Sequence, residues 1–293
     1  MVSNGRRRHC SKLTVASLLL GTTIKTETAT FIRCTKAGAF NTYERLLPPA
    51  VAAPALDALK ATPGAFEPSV QLLYLFVGLD GSDAELELPG ANFWMLHGWD
   101  HDANWKLFNK AGSFEDLGFL PAVFLSFGSA KDDHHATVPA NAHKATLQLL
   151  APVRFEWFKG VAKEGSKLKH RGAAYDELKE AWRDRLLEDY LFQKFPQCRG
   201  RVAFTSVATP LTTNFYLNTL RGENYGLSHT TGRFSSDVQV EALHTKAPVG
   251  GLTMVGQDAF SVGVVAVLAS GAITSAFLSP ASLARLGAEL LFA

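Results

Sequence analysis

The sequence predicts a mixed α/β protein, and three observations carry that prediction. Short apolar runs with strand character recur along the chain, separated by Gly, Pro and Asp clusters. One long amphipathic helix stands among them. The last third then reads as a strand, a glycine turn and a helix of small residues. With 293 residues, 47% apolar and 19% charged, the chain can bury a core of one large domain or two smaller ones, and intrinsic disorder is excluded. Lys plus Arg number 29 against 27 Asp plus Glu. That balance excludes a nucleic-acid binder, which needs a cationic surplus to neutralise phosphates. Cys10, Cys34 and Cys198 lie too far apart for a disulfide framework or a cysteine-rich metal cluster. The 20 phenylalanines fit a large apolar cavity and fit a large core equally well.

The first 34 residues differ from the rest. Arg6–Arg8, the apolar stretch Leu13–Leu20 and the threonine-rich run Thr22–Thr30 follow the order of a signal or transit peptide. The apolar stretch is shorter than the ~20 residues of a membrane span, and no small-x-small cleavage site follows it. The other reading is a poorly packed extension. Tyr43–Leu59 is helical in pattern, broken by Pro48-Pro49 and by Pro54. Val70–Leu79, bounded by Pro68 and by Asp80-Gly81, reads as a strand buried on both faces. Asn92–Trp99, Ala122–Phe127, Thr146–Val153 and Arg201–Val207 are further strands.

Between Tyr175 and Phe195 the residues Tyr175, Leu178, Trp182, Leu186, Leu187, Tyr190 and Leu191 recur at helical spacing until Pro196 stops the run. Charged residues fill the opposite face, so this helix should cover one side of a sheet. Ala259–Ala284 carries no charge and raises the question of a membrane span. Its Gly, Ala and Ser content, its start just after a strand and glycine turn, and Pro280 at its end favour a buried helix against a sheet.

Glycine fingerprints of the G-x-G-x-x-G and P-loop kinds are absent, as are H-E-x-x-H, C-x-x-C and G-x-S-x-G. Asp100-His101-Asp102 and Asp132-Asp133-His134-His135 contain metal-ligand side chains but read as solvated loops, so no metal site is assigned. The basic run Lys167–Arg171 reads as a solvated loop, with a membrane-surface contact as the alternative.

The informative segment begins at Thr209–Asn214. It continues through Arg221-Gly222, Tyr225-Gly226, His229 and Gly232-Arg233 to Leu252–Val255, Gly256-Gln257-Asp258 and Gly263. A strand ending in glycine and an acidic or amide side chain, then a helix, presents backbone N–H groups and a positive dipole end to an anion such as a pyrophosphate. Gly263 lets the helix approach a flat ring system. On the residues alone, a plain buried strand–helix unit explains this pattern about as well.

Here the sequence resembles the retinol saturase family, in the carotenoid desaturase and isomerase branch of the FAD-dependent, amine-oxidase-like flavoproteins. The likeness extends upstream through Gly38–Tyr43, Tyr74–Leu79, Ser129–Asp132, Glu156–Phe158 and Phe195–Gln197, in the same order, covering roughly residues 36–278. It implies an α/β flavoprotein whose FAD domain is assembled from separated chain segments around a mixed-sheet substrate domain. By this resemblance residues 1–34 are an unrelated extension, 35–50 a remnant of the FAD domain, 51–235 the substrate domain, and 236–293 the last strand and helix of the FAD site.

The resemblance further implies that Gly256, Gln257, Asp258, Gly263 and Val264 contact FAD, with Gln257 or Asp258 on the ribityl chain. Asp258→Ala should then remove flavin while leaving the fold intact. Tyr225 and His229 are the implied catalytic proton donors, and Tyr74–Leu79 with the Phe-rich strands the substrate channel. The implied reaction saturates one C=C bond of a retinoid or carotenoid by hydride from flavin, with NAD(P)H as the implied electron donor. A carotenoid cis–trans isomerase or desaturase is the alternative within the family, and a non-catalytic lipid-binding remnant the alternative outside it.

Association with the endoplasmic reticulum or plastid membrane, through peripheral contact, belongs to the same expectation. The family's N-terminal Rossmann half has no counterpart in the sequence. The expectation is therefore an incomplete FAD/NAD(P)-binding fold that needs a separately encoded partner and exposes apolar surface. The reading requires Leu252–Ala276 to sit beside Gly38 and not in lipid.

Overall fold

In the computed structural model, residues 24–25, 30–34, 38–161, 171–234, 237, 242–250, 252–279 and 281 are described. The leader-like segments Arg6–Arg8 and Leu13–Leu20 and most of the basic run at 167–171 lie outside them. The strands are β1 (Ile24–Lys25), β2 (Thr30–Cys34), β3 (Gln71–Asp80), β4 (Asn92–Leu96), β5 (Ala122–Phe127), β6 (Lys144–Val153), β7 (Val202–Ala208) and β8 (Leu252–Met254). The helices are α1 (Gly38–Asn41), α2 (Pro49–Ala61), α3 (His101–Lys110), α4 (Phe114–Leu117), α5 (Glu156–Lys159), α6 (Ala173–Leu186), α7 (Pro210–Leu217), α8 (Thr231–Phe234) and α9 (Val264–Leu278). The chain divides into two compact units. One combines residues 1–69 with 225–293, and the other is 70–224. The sequence reading ran the middle region from 51 to 235.

The middle unit is a five-stranded antiparallel sheet in the order β4-β5-β6-β3-β7. β3 lies inside it, paired over ten residues with β6 and on its other side with β7. Side chains alternate across a strand, and on β3 Leu73, Leu75, Val77 and Leu79 are buried on one face. They join Leu125, Phe127, Leu147 and Leu149 under α6, which presents Trp182 and Leu186 and continues through a π turn (Leu187–Leu191) to Lys194. The Tyr175–Phe195 helix therefore does what its spacing predicts. Its Trp182 ring meets Phe114 edge-on at 5.1 Å and stacks on Trp157 at 6.2 Å.

β3 departs from the expectation of burial on both faces. Phe76, on the opposite face, is 42% exposed, because this antiparallel sheet is covered by helix on one side only. Asp100-His101-Asp102 also departs from its loop reading. Asp100 caps α3, its carboxylate accepting from the Ala103 N–H at 3.0 Å, and the next two residues form the first turn. In the second cluster, Asp132 accepts from the His134 N–H and His135 Nε2 lies 3.0 Å from the Lys144 carbonyl.

The other unit holds β2 parallel to β8, with Ile32 opposite Leu252, and β1 antiparallel to β2. Residues 30–34, inside the stretch set apart by composition, are thus a strand. Pro49 occupies the first turn of α2, as helix geometry permits, and the expected break falls at Pro48. Pro54 does not break the helix. The Ala50 carbonyl that it cannot serve lies on an exposed face and so is not left buried without a donor.

α9 departs most from expectation. Its buried side chains are Ser270 and Thr274, while Val265 is 81% and Leu268 68% exposed. The helix places its small polar stripe against the β8 turn and its valines and leucines outward. Exposed apolar surface was expected for this segment, but the buried helix that its small residues predicted does not form: only the Ser270 and Thr274 stripe is covered. No helix among the described residues is long and apolar enough to cross a membrane.

Candidate functional site

The turn after β8 is built around one carboxylate. Asp258 is buried; its Oδ2 accepts the Ala39 N–H at 2.7 Å and its Oδ1 accepts the Leu227 N–H at 2.8 Å. Three chain segments separated by up to 219 residues therefore converge on this side chain, and the segment beginning at Leu252 does sit beside Gly38. The glycines flanking the contact make room for it. A Cβ on Gly226 would lie 2.2 Å from Asp258 Oδ1, and one on Gly38 3.2 Å from Oδ2. Both glycines also have positive φ, 65° and 68°, where a side chain is strained.

Arg233 completes the knot. Only 2% exposed, its guanidinium donates to the carbonyls of Leu227 (3.1 Å) and Ser228 (3.4 Å) and to those of Gln257 (3.1 Å) and Asp258 (2.7 Å). Burial pulls its pKa below the usual arginine value, and the negative charge of Asp258 partly offsets that. Sequence reasoning quoted Arg233 only as part of Gly232-Arg233 and gave it no role. The signal available was a single charged residue in the polar stretch from Ser228 to Ser235, which also describes a surface loop.

The predicted site residues then fall into two sets. Gly256 (φ 111°) donates its N–H to Ser270 Oγ at 2.9 Å and is buried with the strand end, while the side chain of Gln257 is half-buried. Gly263 and Val264 are exposed at the start of α9, whose first turn no side chain caps. The N–H groups of that turn therefore have no side-chain cap, and a Cβ on Gly263 would meet nothing within 4 Å. This donor set fits the anionic part of a dinucleotide. Asp258 is committed to two backbone N–H groups of this chain, so Asp258→Ala would disturb the fold as well as any ligand, contrary to the expectation above.

Tyr225 and His229 flank Gly226 on an extended segment that pairs with residues 67–69. The Tyr225 N–H donates to Ser69 Oγ at 2.8 Å, the Ser69 N–H to the Gly226 carbonyl at 2.8 Å and the Ser228 N–H to the Glu67 carbonyl at 2.8 Å. Both aromatic side chains are solvent-accessible. Partial desolvation and the positive charge of Arg233 lower the His229 pKa, with Asp258 and the Leu227 carbonyl opposing. These effects favour the neutral imidazole.

In the middle unit, the uncovered sheet face is apolar. Cross-strand registers place Trp94, Phe124, Leu150 and Tyr74 in one row across four strands, with Phe76 and Phe204 beside it. Trp94 and Phe204 are 68% and 63% exposed. Tyr74 and Phe76 are stacked 6.2 Å apart, and Trp94 lies 4.9 Å from Phe124. Trp94, Phe76 and Phe204 are exposed and the residues between them partly so, which makes this face a candidate binding surface.

No group of three His, Cys, Asp or Glu among the described residues is placed to hold a metal ion. No family model matches the chain. It is 32% identical over 241 residues to a human protein and 31% identical to one from Macaca fascicularis, both named all-trans-retinol 13,14-reductase; each match covers 82% of this chain. A Danio rerio protein named inactive all-trans-retinol 13,14-reductase is 26% identical over 83% of the chain. The chain spans 38% of the length of these curated relatives.

Proposed function

We propose, on the premise that this chain is related to the all-trans-retinol 13,14-reductases over most of its length, that it takes part in reducing a C=C bond of a retinoid. The polyene lies on the open face of the β4-β5-β6-β3-β7 sheet. The observation that carries this reading is the aromatic row from Trp94 to Tyr74, flat and apolar like a conjugated chain. The retinoid's carbon chain would bury against these rings, and the apolar surface should exclude water from it.

FAD is the cofactor that the donor set at Gly256–Val264 would hold, with NAD(P)H as the source of electrons. When bound, reduced flavin supplies hydride to one carbon of the double bond. The uncapped N–H groups at Gly263 and Val264 would face the pyrophosphate. Gln257 is the freer of the two candidate ribityl contacts, since Asp258 already accepts from Ala39 and Leu227. Asp258 and Arg233 act one step back, holding the turn in shape. Of the two proton-donor candidates, the lowered pKa of His229 favours the Tyr225 hydroxyl as donor.

The test has two arms. The purified chain should bind all-trans-retinol, read by quenching of tryptophan fluorescence, and Trp94→Ala should weaken that binding. Co-expressed with the portion of the human relative that lies outside the match, it should retain flavin and form the dihydro product. Failure to bind retinol rejects the reading. A second reading, a non-catalytic retinoid-binding protein, is favoured by the kinship with a relative named inactive; retinol binding with neither flavin nor product in either setting selects it. Peripheral contact with a membrane, as a source of so apolar a ligand, belongs to either reading.

A further inference from the structure

The two ends of the aromatic row differ in chemistry. At the β4 end stands Trp94, exposed to water, with only an indole N–H to offer. At the β3 end stands Tyr74, half-buried, whose hydroxyl donates to Asn224 Oδ1. The backbone around Asn224 is firmly held. Its own N–H donates to the Val70 carbonyl at 3.0 Å, and the preceding residue, Glu223, bridges to Gln71. The buried Glu223 carboxylate accepts the N–H groups of Leu220 at 2.9 Å and Arg221 at 2.7 Å. The Asn224 amide thus has its oxygen committed, whereas among the described residues nothing accepts from its Nδ2. A half-buried amide with N–H donors remaining favours an oxygen acceptor. The other polar groups of this face lie along its flank. Asn92, Ser126 and Gln148 form a row two residues along from Trp94, Phe124 and Leu150, ~7 Å away at ~3.4 Å per residue. Lys131 serves that flank, its Nζ donating to Ser126 Oγ at 2.5 Å and to Asn92 Oδ1.

From Trp94 on β4 to Tyr74 on β3 the row crosses three strand spacings, about 14 Å at ~4.8 Å each. A polyene lying along it therefore places one end at each of these residues. We propose that Asn224, steadied by Tyr74, donates to the hydroxyl oxygen of the retinoid and so fixes its direction, hydroxyl end at β3 and ring end at β4. The inference rests on the polyene reading above and deepens it by orienting the ligand. In retinol the 13,14 double bond adjoins the hydroxyl-bearing carbon, so the bond that the relatives' name identifies lies at the β3 end, away from Trp94. Asn224 is a specificity-determining residue, and Tyr74, acting through it, a positioning residue.

The experiment titrates the purified full chain with all-trans-retinol and with the hydrocarbon anhydroretinol, which lacks the hydroxyl, and reads tryptophan quenching. Asn224→Leu should lower affinity for retinol about fivefold, the effect of one lost hydrogen bond, and leave anhydroretinol unchanged. Tyr74→Phe keeps the ring of the row and removes only the hydroxyl that holds Asn224. It should act in the same direction, on retinol alone, at an unchanged melting temperature. Trp94→Ala should weaken both probes by the same factor, because the ring end of each lies there. Lys131→Met, on the flank, should leave the ratio of the two affinities as in the wild type. If Asn224→Leu and Tyr74→Phe weaken both probes alike, or neither, the anchor is overturned while the polyene face stands. A loss confined to retinol in Trp94→Ala or in Lys131→Met overturns the direction. If the wild-type chain binds neither probe, the polyene reading falls with it.

Discussion

At Gly226 two independent constraints meet, a backbone φ of 65° and an Asp258 oxygen 2.2 Å from where a Cβ would stand. Gly226→Ala should therefore destabilise the unit built from residues 1–69 and 225–293 by about 2–4 kcal/mol, read from urea unfolding. Asp258→Asn keeps the shape but turns one acceptor into a donor facing an N–H. It should cost about 1–3 kcal/mol and lower flavin retention together with stability, whereas Gln257→Ala should lower flavin retention alone. His229 has a pKa below its ordinary ~6.5, so protonating it is harder in the folded chain than in the unfolded one. Its contribution to stability is complete above pH ~6.5 and declines as the pH falls below that value toward the folded pKa. His229→Gln should flatten the stability profile in that acid window and leave it unchanged above neutrality. The glycines of this site were visible in the sequence as spacing. The carboxylate that requires them was not, because its partners lie up to 219 residues away.

Elements follow their periodicity where one face is buried, and depart from it where burial is reversed. α6 is the first kind: Tyr175, Trp182 and Leu186 are buried at the predicted spacing. α9 is the second, and substitutions in it should invert the usual rule for cores. Leu268→Gln, on the exposed side, should change stability by less than about 0.5 kcal/mol. Ser270→Val should cost about 1–3 kcal/mol, because the Gly256 N–H then loses its buried acceptor. Chemical denaturation of the two variants checks both. An uncharged run of small and β-branched residues looks the same in sequence whether its apolar side faces a core or remains open. β3 shows the same ambiguity: a continuous apolar run identified the strand, but one of its faces carries the open aromatic surface.

For the molecule as a whole, the division at 69/70 and 224/225 makes a direct prediction. The core around Leu75, Leu149 and Trp182 lies entirely within residues 70–224, and the Asn224 N–H donates to the Val70 carbonyl at 3.0 Å, closing the ends together. A polypeptide of residues 70–224 should fold alone, with a cooperative melt by circular dichroism, and should retain retinol binding. Loss of cooperative unfolding in that piece would reject the division.

The sequence by itself determined the α/β class, six of the eight described strands, the long helix and the kinship, since these rest on local periodicity and on the order of motifs along the chain. Only the tertiary structure decided that Asp258 is a clamp, that α9 turns its apolar side outward and that Asn224 meets the Tyr74 hydroxyl at the end of an aromatic row. Those outcomes depend on which distant groups compete for the same donors and the same surface, and no local pattern of residues encodes that competition.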